Sequence, residues 1–304
     1  MGIEVKNIHR FTGHAAGLYA LCLHEGGKKF FSGGSDKILT SWDLDSMKNE
    51  NFQATLPNII YSIALIPSTN MLIAGTFSGD LHVMDMTARK EVRIIKTHIA
   101  GIFDLKYHEA KDLLVAVSGD GSISFFRGAD LSLLGQKKIV SEKVRNIAFS
   151  DHRSSVAIAA GDGSNYIFNM DTLELITSFK AHEHSSNCVM YHPEGKYLYS
   201  GGRDAHLRIW DTENNYKLTH EIPAHNFALY GMAWHPRESV FATASRDRSI
   251  RIWDAADLQP LITMNKEKFD GHANSVNRLV WSPHKNILLS CSDDRTMIAW
   301  DIQI

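Results

Sequence analysis

The chain has 304 residues, of which 44% are hydrophobic and 22% are charged, and its formal net charge is −2. This composition is that of a globular protein with enough apolar side chains to form a core, and it excludes an extensively disordered chain. A charge this close to zero provides no general attraction to nucleic acid or to anionic membranes, so we expect neither as the main partner.

The cysteine content and the N-terminal sequence favour a reducing compartment. The three cysteines are too few for a disulfide framework, and none belongs to a CxxC pair. The first residues lack the apolar run of a secretory signal. The uncharged stretch 56–79 is divided by Pro57, Pro67 and a polar turn into two segments, each too short to span a bilayer as a helix. We therefore expect two buried strands there, and a cytoplasmic protein with no membrane segment.

One motif recurs from end to end of the chain. It consists of a turn that usually contains Asp, followed six residues later by a residue that is usually aromatic and often followed by Asp. The clearest copies end in the Trp-Asp pairs at 42–43, 210–211, 253–254 and 300–301. The turn residues are separated by 42, 42, 42, 42, 43 and 47 positions; they are Asp36, Ser78, Asp120, Asp162, Asp204, Asp247 and Asp294. Such regular spacing identifies seven structural repeats.

A second marker lies 22 residues before each turn residue. Leu56 and Val140 occupy this slot in two repeats. In the other five the slot holds a histidine, namely His14, His98, His182, His225 or His272. Short apolar stretches run between the markers, separated by Gly, Pro, Asn and Ser turns, with no sustained 3.6-residue periodicity. The pattern therefore predicts strands throughout the chain and almost no helix.

The markers resemble those of a known family. Gly13-His14 and Gly271-His272, paired with Trp42-Asp43 and Trp300-Asp301, look like the GH and WD signatures of the WD-repeat, or β-transducin, family. The resemblance covers essentially the whole chain. It implies an all-β fold, a seven-bladed β-propeller with four antiparallel strands per blade around a central channel. Each repeat then contributes the outer strand of one blade and three inner strands of the next.

The two ends of the chain complement each other in such a fold. Taken as a single WD-repeat domain over 1–304, the propeller lacks the outer strand of its last blade, because only three residues follow Trp300-Asp301. The segment from Ile3 to Phe11 precedes the first Gly-His and has no other place in the repeats. We predict that this segment supplies the missing strand, closes the ring and removes an open sheet edge.

The resemblance also implies a hydrogen-bonded tetrad formed by the slot His, a Ser or Thr four residues before the turn Asp, that Asp, and the Trp. Ser, His and Asp are also the members of nucleophilic triads. A catalyst needs one such site, whereas this chain repeats it in four blades, so we interpret the tetrads as structural and expect no enzymatic activity. The complete sets are His14, Ser32, Asp36, Trp42; His182, Ser200, Asp204, Trp210; His225, Thr243, Asp247, Trp253; and His272, Ser290, Asp294, Trp300.

Three repeats depart from the tetrad pattern. The third keeps His98 and Asp120 but has Ala116 and Phe126 at the other two positions. The fourth keeps only Asp162, and the second has no member of the tetrad at all. We expect the blades formed there to be held by apolar packing instead.

The sixteen histidines raise the question of a metal site. Most of them occupy tetrad slots or turn positions, and no pair has the spacing of ligands on a helix. We therefore expect no metal and no cofactor. His182 and His184 are the one pair that could approach a common ion.

A partner-binding surface is implied by the same resemblance. Each repeat contributes to the upper face, around the channel, the residues three and five positions after the His slot and the residue before the turn position. Aromatic and aliphatic residues collect there in repeats one to three, and four basic residues form an arc over repeats four to six. Exposed aromatic and Arg side chains dominate interface energies. The predicted binding residues are Tyr19, Ile59, Tyr61, Phe77, Phe103, Lys143, Arg145, Asn187, Arg203, Tyr230, Arg246, Asn277 and Asp293.

These observations predict a non-enzymatic scaffold that binds peptides or protein surfaces on its upper face and at the channel mouth. The arginines of the arc favour an acidic or phosphorylated partner, and the aromatic residues at the mouth favour an arginine-containing one. We expect a monomeric ring that joins a larger complex. Two alternatives stay open: an RNA-binding propeller that uses the arc and the aromatics, and an enzyme with a site at the channel mouth.

Overall fold

The protein is built almost entirely of β-strands in its computed structural model, which describes residues 3–304. Within that range the only helical segments are a 3₁₀ turn at Glu25–Gly27 and an α-helical turn at Lys266–Phe269. The α-helical turn begins after Asn265, whose side chain accepts a hydrogen bond from the amide of Lys268. The predicted near absence of helix is confirmed.

The strands are short and follow one another through tight turns. The uncharged stretch 56–79 forms two of them, as predicted. In chain order the strands are β1 (Glu4–Phe11), β2 (Leu18–His24), β3 (Lys29–Gly34), β4 (Ile38–Asp43), β5 (Lys48–Thr55), β6 (Ile60–Ile66), β7 (Met71–Thr76), β8 (Asp80–Asp85), β9 (Lys90–Lys96), β10 (Ile102–His108), β11 (Leu113–Ser118), β12 (Ser122–Arg127), β13 (Leu133–Lys138), β14 (Val144–Ser150), β15 (Ser155–Ala160), β16 (Ser164–Asn169), β17 (Leu175–Lys180), β18 (Ser186–Tyr191), β19 (Tyr197–Gly202), β20 (His206–Asp211), β21 (Lys217–Pro223), β22 (Leu229–Trp234), β23 (Val240–Ser245), β24 (Ile250–Asp254), β25 (Pro260–Met264), β26 (Val276–Trp281), β27 (Leu288–Ser292) and β28 (Met297–Gln303).

These strands pair into seven four-stranded antiparallel sheets. Six sheets, blades 1 to 6, each take four consecutive strands: β2 to β5, β6 to β9, β10 to β13, β14 to β17, β18 to β21, and β22 to β25. Blade 7 has the strand order β1, β28, β27, β26. The fold is a seven-bladed β-propeller with four strands per blade, as the sequence predicted.

Blade 7 joins the two ends of the chain. The strand β1 runs antiparallel to β28, with Asn7 opposite Trp300, so the predicted pairing of the N-terminal segment is confirmed. Phe11, at the end of β1, is buried and contacts Phe30 and Trp42 edge-on, with ring centroids 5.2 and 5.4 Å away. The first strand therefore completes one sheet and also contributes to the core beside blade 1.

The chain divides into two compact units. Unit 1 comprises residues 3–60 and 229–304, and its core is formed by clusters around Trp42 and Trp300. Unit 2 comprises residues 61–228, with buried clusters around Phe126, Phe168 and Trp210. Unit 1 contains blades 1, 6 and 7, and unit 2 contains blades 2 to 5 except for Ile60.

Buried polar side chains connect the first strands of neighbouring blades in unit 2. Asp104 Oδ2 accepts hydrogen bonds from Asn146 Nδ2 at 2.7 Å and from the amide of Ile147 at 3.0 Å. Asn146 Oδ1 in turn accepts from the amide of Val189 at 2.9 Å. A side chain of one blade thus satisfies a buried backbone amide of the next, as buried polar groups require.

Two kinds of β-bulge recur in the blades. On the first strand, one residue lies unpaired between two register positions; Phe103 on β10 and Arg145 on β14 are examples. On the outer strand, one residue likewise lies unpaired beside the residue that faces the Trp position of the third strand. In blade 5 this shift of β21 falls between the partners of Ile209 and Trp210. A bulge turns the side chain of the unpaired residue away from the sheet ladder. The bulged residues therefore control what the blades present at their surfaces.

We predict that a truncated chain starting at Thr12 loses stability and self-associates. Removing β1 exposes the edge of β28 and takes Phe11 away from Phe30 and Trp42, a loss of about 3 kcal/mol or more. Thermal unfolding and size-exclusion chromatography measure the two effects. The matched control is Lys6→Ala, which changes an exposed side chain of the same strand. A truncated chain that melts and elutes like the intact protein would contradict the prediction.

Candidate interaction surface

The tetrad of blade 1 is a continuous hydrogen-bonded chain. His14 Nδ1 lies 2.7 Å from Asp36 Oδ2, and His14 Nε2 lies 2.8 Å from Ser32 Oγ. Trp42 Nε1 donates to the same Ser32 oxygen at 2.8 Å. Blades 5 and 7 repeat this arrangement around His182 and His272, with the His–Asp, His–Ser and Trp–Ser contacts at 2.8–3.0 Å.

The tetrads lack the access to a substrate that a nucleophilic site needs. Their hydroxyl groups, on Ser32, Ser200 and Ser290, are 0% exposed. Each Ser oxygen accepts from a Trp indole, which leaves its hydroxyl hydrogen for His Nε2 while His Nδ1 donates to Asp. A nucleophilic Ser must reach a substrate carbonyl, and these hydroxyls are enclosed. The geometry is that of a buried network that satisfies its own polar groups.

The tetrad of blade 6 shares one of these contacts. Trp253 Nε1 donates to Thr243 Oγ1 at 2.9 Å, so Thr replaces Ser without loss of the bond. Asp247, in the turn, accepts from the amide of Ser249 at 3.0 Å. Trp253 is 1% exposed and stacks against Phe241.

Burial favours the neutral form of the His182 imidazole in the tetrad of blade 5. It lowers the pKa of His182, although the neighbouring Asp204 acts in the opposite direction. Burial also opposes the ionisation of Asp204, but hydrogen bonds from His182 and Arg208 hold its pKa well below the usual range. Arg208 Nη1 lies 2.7 Å from Asp204 Oδ2. The pair is therefore a neutral imidazole beside a carboxylate, the protonation states that the hydrogen-bonded chain needs.

Blade 3 rebuilds its tetrad with a residue that the sequence reasoning missed. Ala116 removes the usual hydroxyl, but Ser124 on β12 lies 3.0 Å from His98 Nε2 and is 0% exposed. His98 Nδ1 lies 3.2 Å from Asp120 Oδ2. Burial lowers the pKa of His98 as it does for His182. The expected apolar packing is present in this blade around Phe125 and Phe126. The buried His98 imidazole adds polar contacts that the sequence reasoning did not identify.

Blades 4 and 2 also carry polar replacements. In blade 4, Tyr166 donates its hydroxyl to Asp162 at 2.8 Å, and burial with this contact raises the Tyr166 pKa to about 12. In blade 2, the buried His82 has its Nδ1 2.5 Å from Glu91 Oε1. Here too the expectation of apolar packing alone was incomplete.

A sequence signal for these replacements exists. His82, Ser124 and Tyr166 each stand four residues after the turn position of their repeat. Arg208 occupies the same position in blade 5, where it contacts Asp204. In blades 3, 4 and 5 the polar side chain at this position reaches the slot His or the turn Asp, whereas His82 contacts Glu91 instead.

Several predicted binding residues of unit 2 come together in one surface. The Tyr61 and Phe103 rings stack with centroids 5.1 Å apart, and Phe77, 56% exposed, lies 6.2 Å from Tyr61. The Lys143 ammonium and the Arg145 guanidinium lie 5.5 and 6.0 Å from the centre of the Phe103 ring. We call this surface, with Arg203 at its end, the aromatic–basic strip; its residues are Phe77, Tyr61, Phe103, Lys143, Arg145 and Arg203.

Arg145 is anchored at the basic end of the strip. Its Nε donates to Ser185 Oγ at 2.8 Å, and the carbonyl of Ser185 accepts from the amide of Arg203 at 2.9 Å. Ser185 thereby connects the Arg145 side chain to the backbone of Arg203. Arg203 and Lys143 are exposed, whereas Arg145 is half-buried. Fixed guanidinium groups lose less entropy when they bind an anion.

Two glycines make room for the rings. A Cβ on Gly101 would lie 2.8 Å from Tyr61 Cε2, and one on Gly119 would lie 2.9 Å from Phe103 Cε2. Any larger residue at these positions would push the rings out of place. Phe103 and Arg145 are the unpaired residues of first-strand bulges, which is why their side chains face the same surface rather than the ladder.

The predicted binding residues of unit 1 have different surroundings. Tyr19 accepts a hydrogen bond from Ser35 at 3.0 Å. Asn277 Nδ2 donates to Asp293 Oδ1 and to the Leu18 carbonyl, both at 2.8 Å, so its amide links two strands. The remaining predicted residues of this unit are Ile59 and Tyr230, which are half-buried, and Arg246, which is exposed.

One predicted contact residue of unit 2 has little surface to offer. Asn187 is 8% exposed, so we leave it out of the aromatic–basic strip. Its position matches that of Phe103 and Arg145 in the repeat, and it lies between register positions of β18 in the same way. The repeat position alone therefore does not determine exposure.

Over residues 3–304, His, Cys, Asp and Glu side chains form no group of three or more that could hold a metal ion. His184 is exposed, whereas His182 is buried in its tetrad. No helix in the same range combines the length and the apolar character that crossing a membrane requires.

The repeats match a family profile described as WD domain, G-beta repeat, over residues 5–43, 173–211, 216–254 and 264–301. The matches cover about half of the chain. This chain belongs to the WD40 family. The residues between the first two matches, 44–172, contain blades 2 and 3 and most of blade 4, where the tetrads are altered. The WD40 blades that depart most from the family pattern are thus the ones that carry most of the aromatic–basic strip.

Curated WD40 relatives are similar over part of their length. Echinoderm microtubule-associated protein-like 1 of Mus musculus is 24% identical over 216 residues, which are 68% of this chain and 25% of the relative. Striatin-4 of Homo sapiens is 21% identical over 249 residues, 73% of this chain and 32% of the relative. Diphthine methyltransferase of Schizosaccharomyces pombe is 29% identical over 182 residues, which are 57% of this chain and 53% of the relative. The chain therefore spans between a quarter and about half of these relatives, and the WD40 family indicates a protein-interaction scaffold.

We predict that Ser124→Ala destabilises the protein by about 1 to 3 kcal/mol, because it leaves His98 Nε2 buried without a partner. Urea unfolding followed by Trp fluorescence measures the change. Ser141→Ala, at an exposed position, is the matched control and should have little effect. Equal stability of Ser124→Ala and Ser141→Ala would show that Ser124 does not replace the missing hydroxyl.

We predict that the free energy of unfolding falls as the pH drops below about 6.5. The pKa values of His98 and His182 are lowered in the folded state, so the unfolded chain takes up their protons first and acid favours unfolding. Asp204 and Asp294, whose pKa values are lowered, add a second loss below about pH 4. Melting temperatures measured between about pH 7.5 and 5 test the first loss. A flat profile there, or an unchanged slope in His98→Gln, would contradict it.

Proposed function

We propose that this chain is a protein-interaction module that binds a negatively charged segment of a partner protein on the aromatic–basic strip. The observation that carries the proposal is the packing of Lys143 and Arg145 on the face of Phe103, with Arg145 anchored through Ser185 beside Arg203. Guanidinium groups held in this way can donate paired hydrogen bonds to a carboxylate or a phosphate. Phe77 and Tyr61 offer an apolar surface next to that charge for a neighbouring side chain of the segment.

The geometry favours an anionic over an arginine-containing partner. A cation from a partner would need an open ring face, and at Phe103 the chain's own Lys143 and Arg145 already lie within 6.0 Å of the ring centre. A further positive group would meet two like charges at short range. An acidic or phosphorylated segment would instead neutralise them.

RNA is the second candidate ligand for this surface, because stacked aromatics beside basic groups also suit single-stranded nucleic acid. The net charge of −2 argues against it, since nucleic-acid binding draws on a broadly positive surface. A steep fall in affinity with salt would favour RNA. A shallow response would favour a mixed apolar and charged protein contact.

We infer that the chain is not an enzyme. One relative is named a methyltransferase, but the chain covers 53% of its length, and the chain's own Ser-His-Asp sets are enclosed and repeated. A repeated buried network serves the packing of the blades. Nothing in the aromatic–basic strip combines a nucleophile with a base.

We predict that Arg145→Glu combined with Arg203→Glu abolishes binding of acidic segments. Peptides containing aspartate, glutamate or phosphoserine would first be screened on an array with the wild-type chain, and the best binder measured by calorimetry. Reversing two anchoring charges should weaken it by at least about tenfold without lowering the melting temperature.

The matched control for charge is Arg127→Glu combined with Arg237→Glu, which reverses two exposed arginines outside the strip. It should leave the affinity of the same peptide within about twofold. Unchanged binding by the strip variant would refute the proposal. Stronger binding of an arginine peptide than of any acidic one would refute it as well.

A further inference from the structure

The outer strands of blades 2 to 4 expose paired aliphatic side chains that the aromatic–basic strip does not use. These residues are between 43% and 55% exposed. They lie on β9, β13 and β17, which are the edge strands of their sheets. We call them the rim patch; they are Val92, Ile94, Leu133, Leu134, Leu175 and Ile176.

Three members of the rim patch occupy one structural position. Val92, Leu134 and Ile176 are each the unpaired residue of the outer-strand bulge, and they are spaced 42 residues apart. A bulge turns such a side chain out of the ladder. Each of the three blades therefore exposes an aliphatic side chain at the equivalent position of its outer strand.

Neighbouring outer strands of these blades are connected. Lys137 on β13 pairs with Glu174 at the start of β17, at 2.6 Å. Arg93 on β9 donates to the carbonyl of Asp130 ahead of β13, at 3.0 Å. Polar contacts thus connect the outer edges of the three blades that carry the aliphatic pairs.

In the described part of the other blades, no outer strand exposes two large aliphatic side chains. Blades 5, 6 and 7 each have one large exposed aliphatic residue on the outer strand, namely Leu218, Leu261 and Ile8. The outer strand of blade 1 has none among its described residues. Extended exposed apolar surface on a folded protein marks a site of association. Its concentration in three successive blades indicates a docking surface.

We propose that the rim patch binds an acidic segment of a partner protein that carries aliphatic side chains. The three outer strands contain six basic residues, Lys90, Arg93, Lys96, Lys137, Lys138 and Lys180, of which Lys137 is paired with Glu174. The one acidic residue on them is Glu91, and its carboxylate contacts the buried His82. An acidic partner complements this charge, whereas a second copy of the chain docking by the same patch would bring like charges together.

The contact is made through side chains. A strand added to β13 would need an uninterrupted row of amides and carbonyls, and the bulge at Leu134 interrupts that row. Aliphatic groups of the partner pack between Leu134 and Ile176, and its carboxylates meet Lys96 and Lys138. This surface is separate from the aromatic–basic strip, so the inference does not rest on the proposed function.

The test uses the full chain and a fluorescently labelled synthetic peptide in which aspartate alternates with leucine. Two comparison peptides replace every aspartate by lysine or every leucine by serine. The first peptide should bind, and both comparison peptides should bind at least about tenfold more weakly. Leu134→Ser combined with Ile176→Ser should weaken the first peptide by about tenfold or more, and Lys96→Glu combined with Lys138→Glu should do the same.

Ile8→Ser combined with Leu261→Ser is the matched control, because these residues occupy the same bulge position in unit 1. It should leave the affinity unchanged, and circular dichroism melts of all variants exclude unfolding as the cause of a loss.

No binding of the first peptide, or equal binding of the lysine peptide, would overturn the inference. Loss of binding in the Arg145→Glu, Arg203→Glu variant but not in the rim variants would place the peptide on the strip, which overturns the rim inference and leaves the proposed function standing. Self-association in sedimentation that the rim variants abolish would make a second copy the occupant and would likewise overturn it.

Discussion

The buried imidazoles of blades 1, 5 and 7 are hydrogen-bonded through both ring nitrogens, and these contacts join segments of each of these blades that are far apart in the chain. His14 contacts Ser32, 18 residues away, and Asp36, 22 residues away. The Trp42 indole closes the same network from the next strand. The loop before the first strand, the turn and the third strand are thereby held in one geometry, and the surface residues beside them inherit their positions from it.

In blades 3 and 4, which lack the family tetrad, other residues supply polar contacts at the corresponding places. Ser124 takes over from the missing hydroxyl at Ala116, and Tyr166 takes the place of His as the partner of Asp162. These replacements supply hydrogen-bond partners to buried polar groups of blades 3 and 4. The propeller fold is thus kept in blades that carry most of the aromatic–basic strip and of the rim patch.

The bulges convert a repeated fold into individual surfaces. The same first-strand position holds Phe103 in blade 3 and Arg145 in blade 4, and it projects each of them out of the ladder. The outer-strand bulge does the same for Leu134 and Ile176. Because the same bulge recurs, the chemistry of each surface depends on which side chain occupies it and on how far the neighbouring residues leave that side chain exposed, as the buried Asn187 shows.

The sequence by itself determined the seven repeats and the strand content, because these depend on local patterns, the 42-residue period and the alternation of strands with turns. The pairing of the two chain ends was predicted from the strand order that the resemblance to the WD-repeat family implies. Only the tertiary structure decided that Ser124 completes a network, that Asn187 is buried and that Lys143 and Arg145 cover Phe103. Those outcomes depend on contacts between neighbouring strands and blades, such as that of Arg145 with Ser185, 40 residues away. A repeat aligns equivalent positions along the chain, but the packing of one blade on the next decides which side chain fills the space between them.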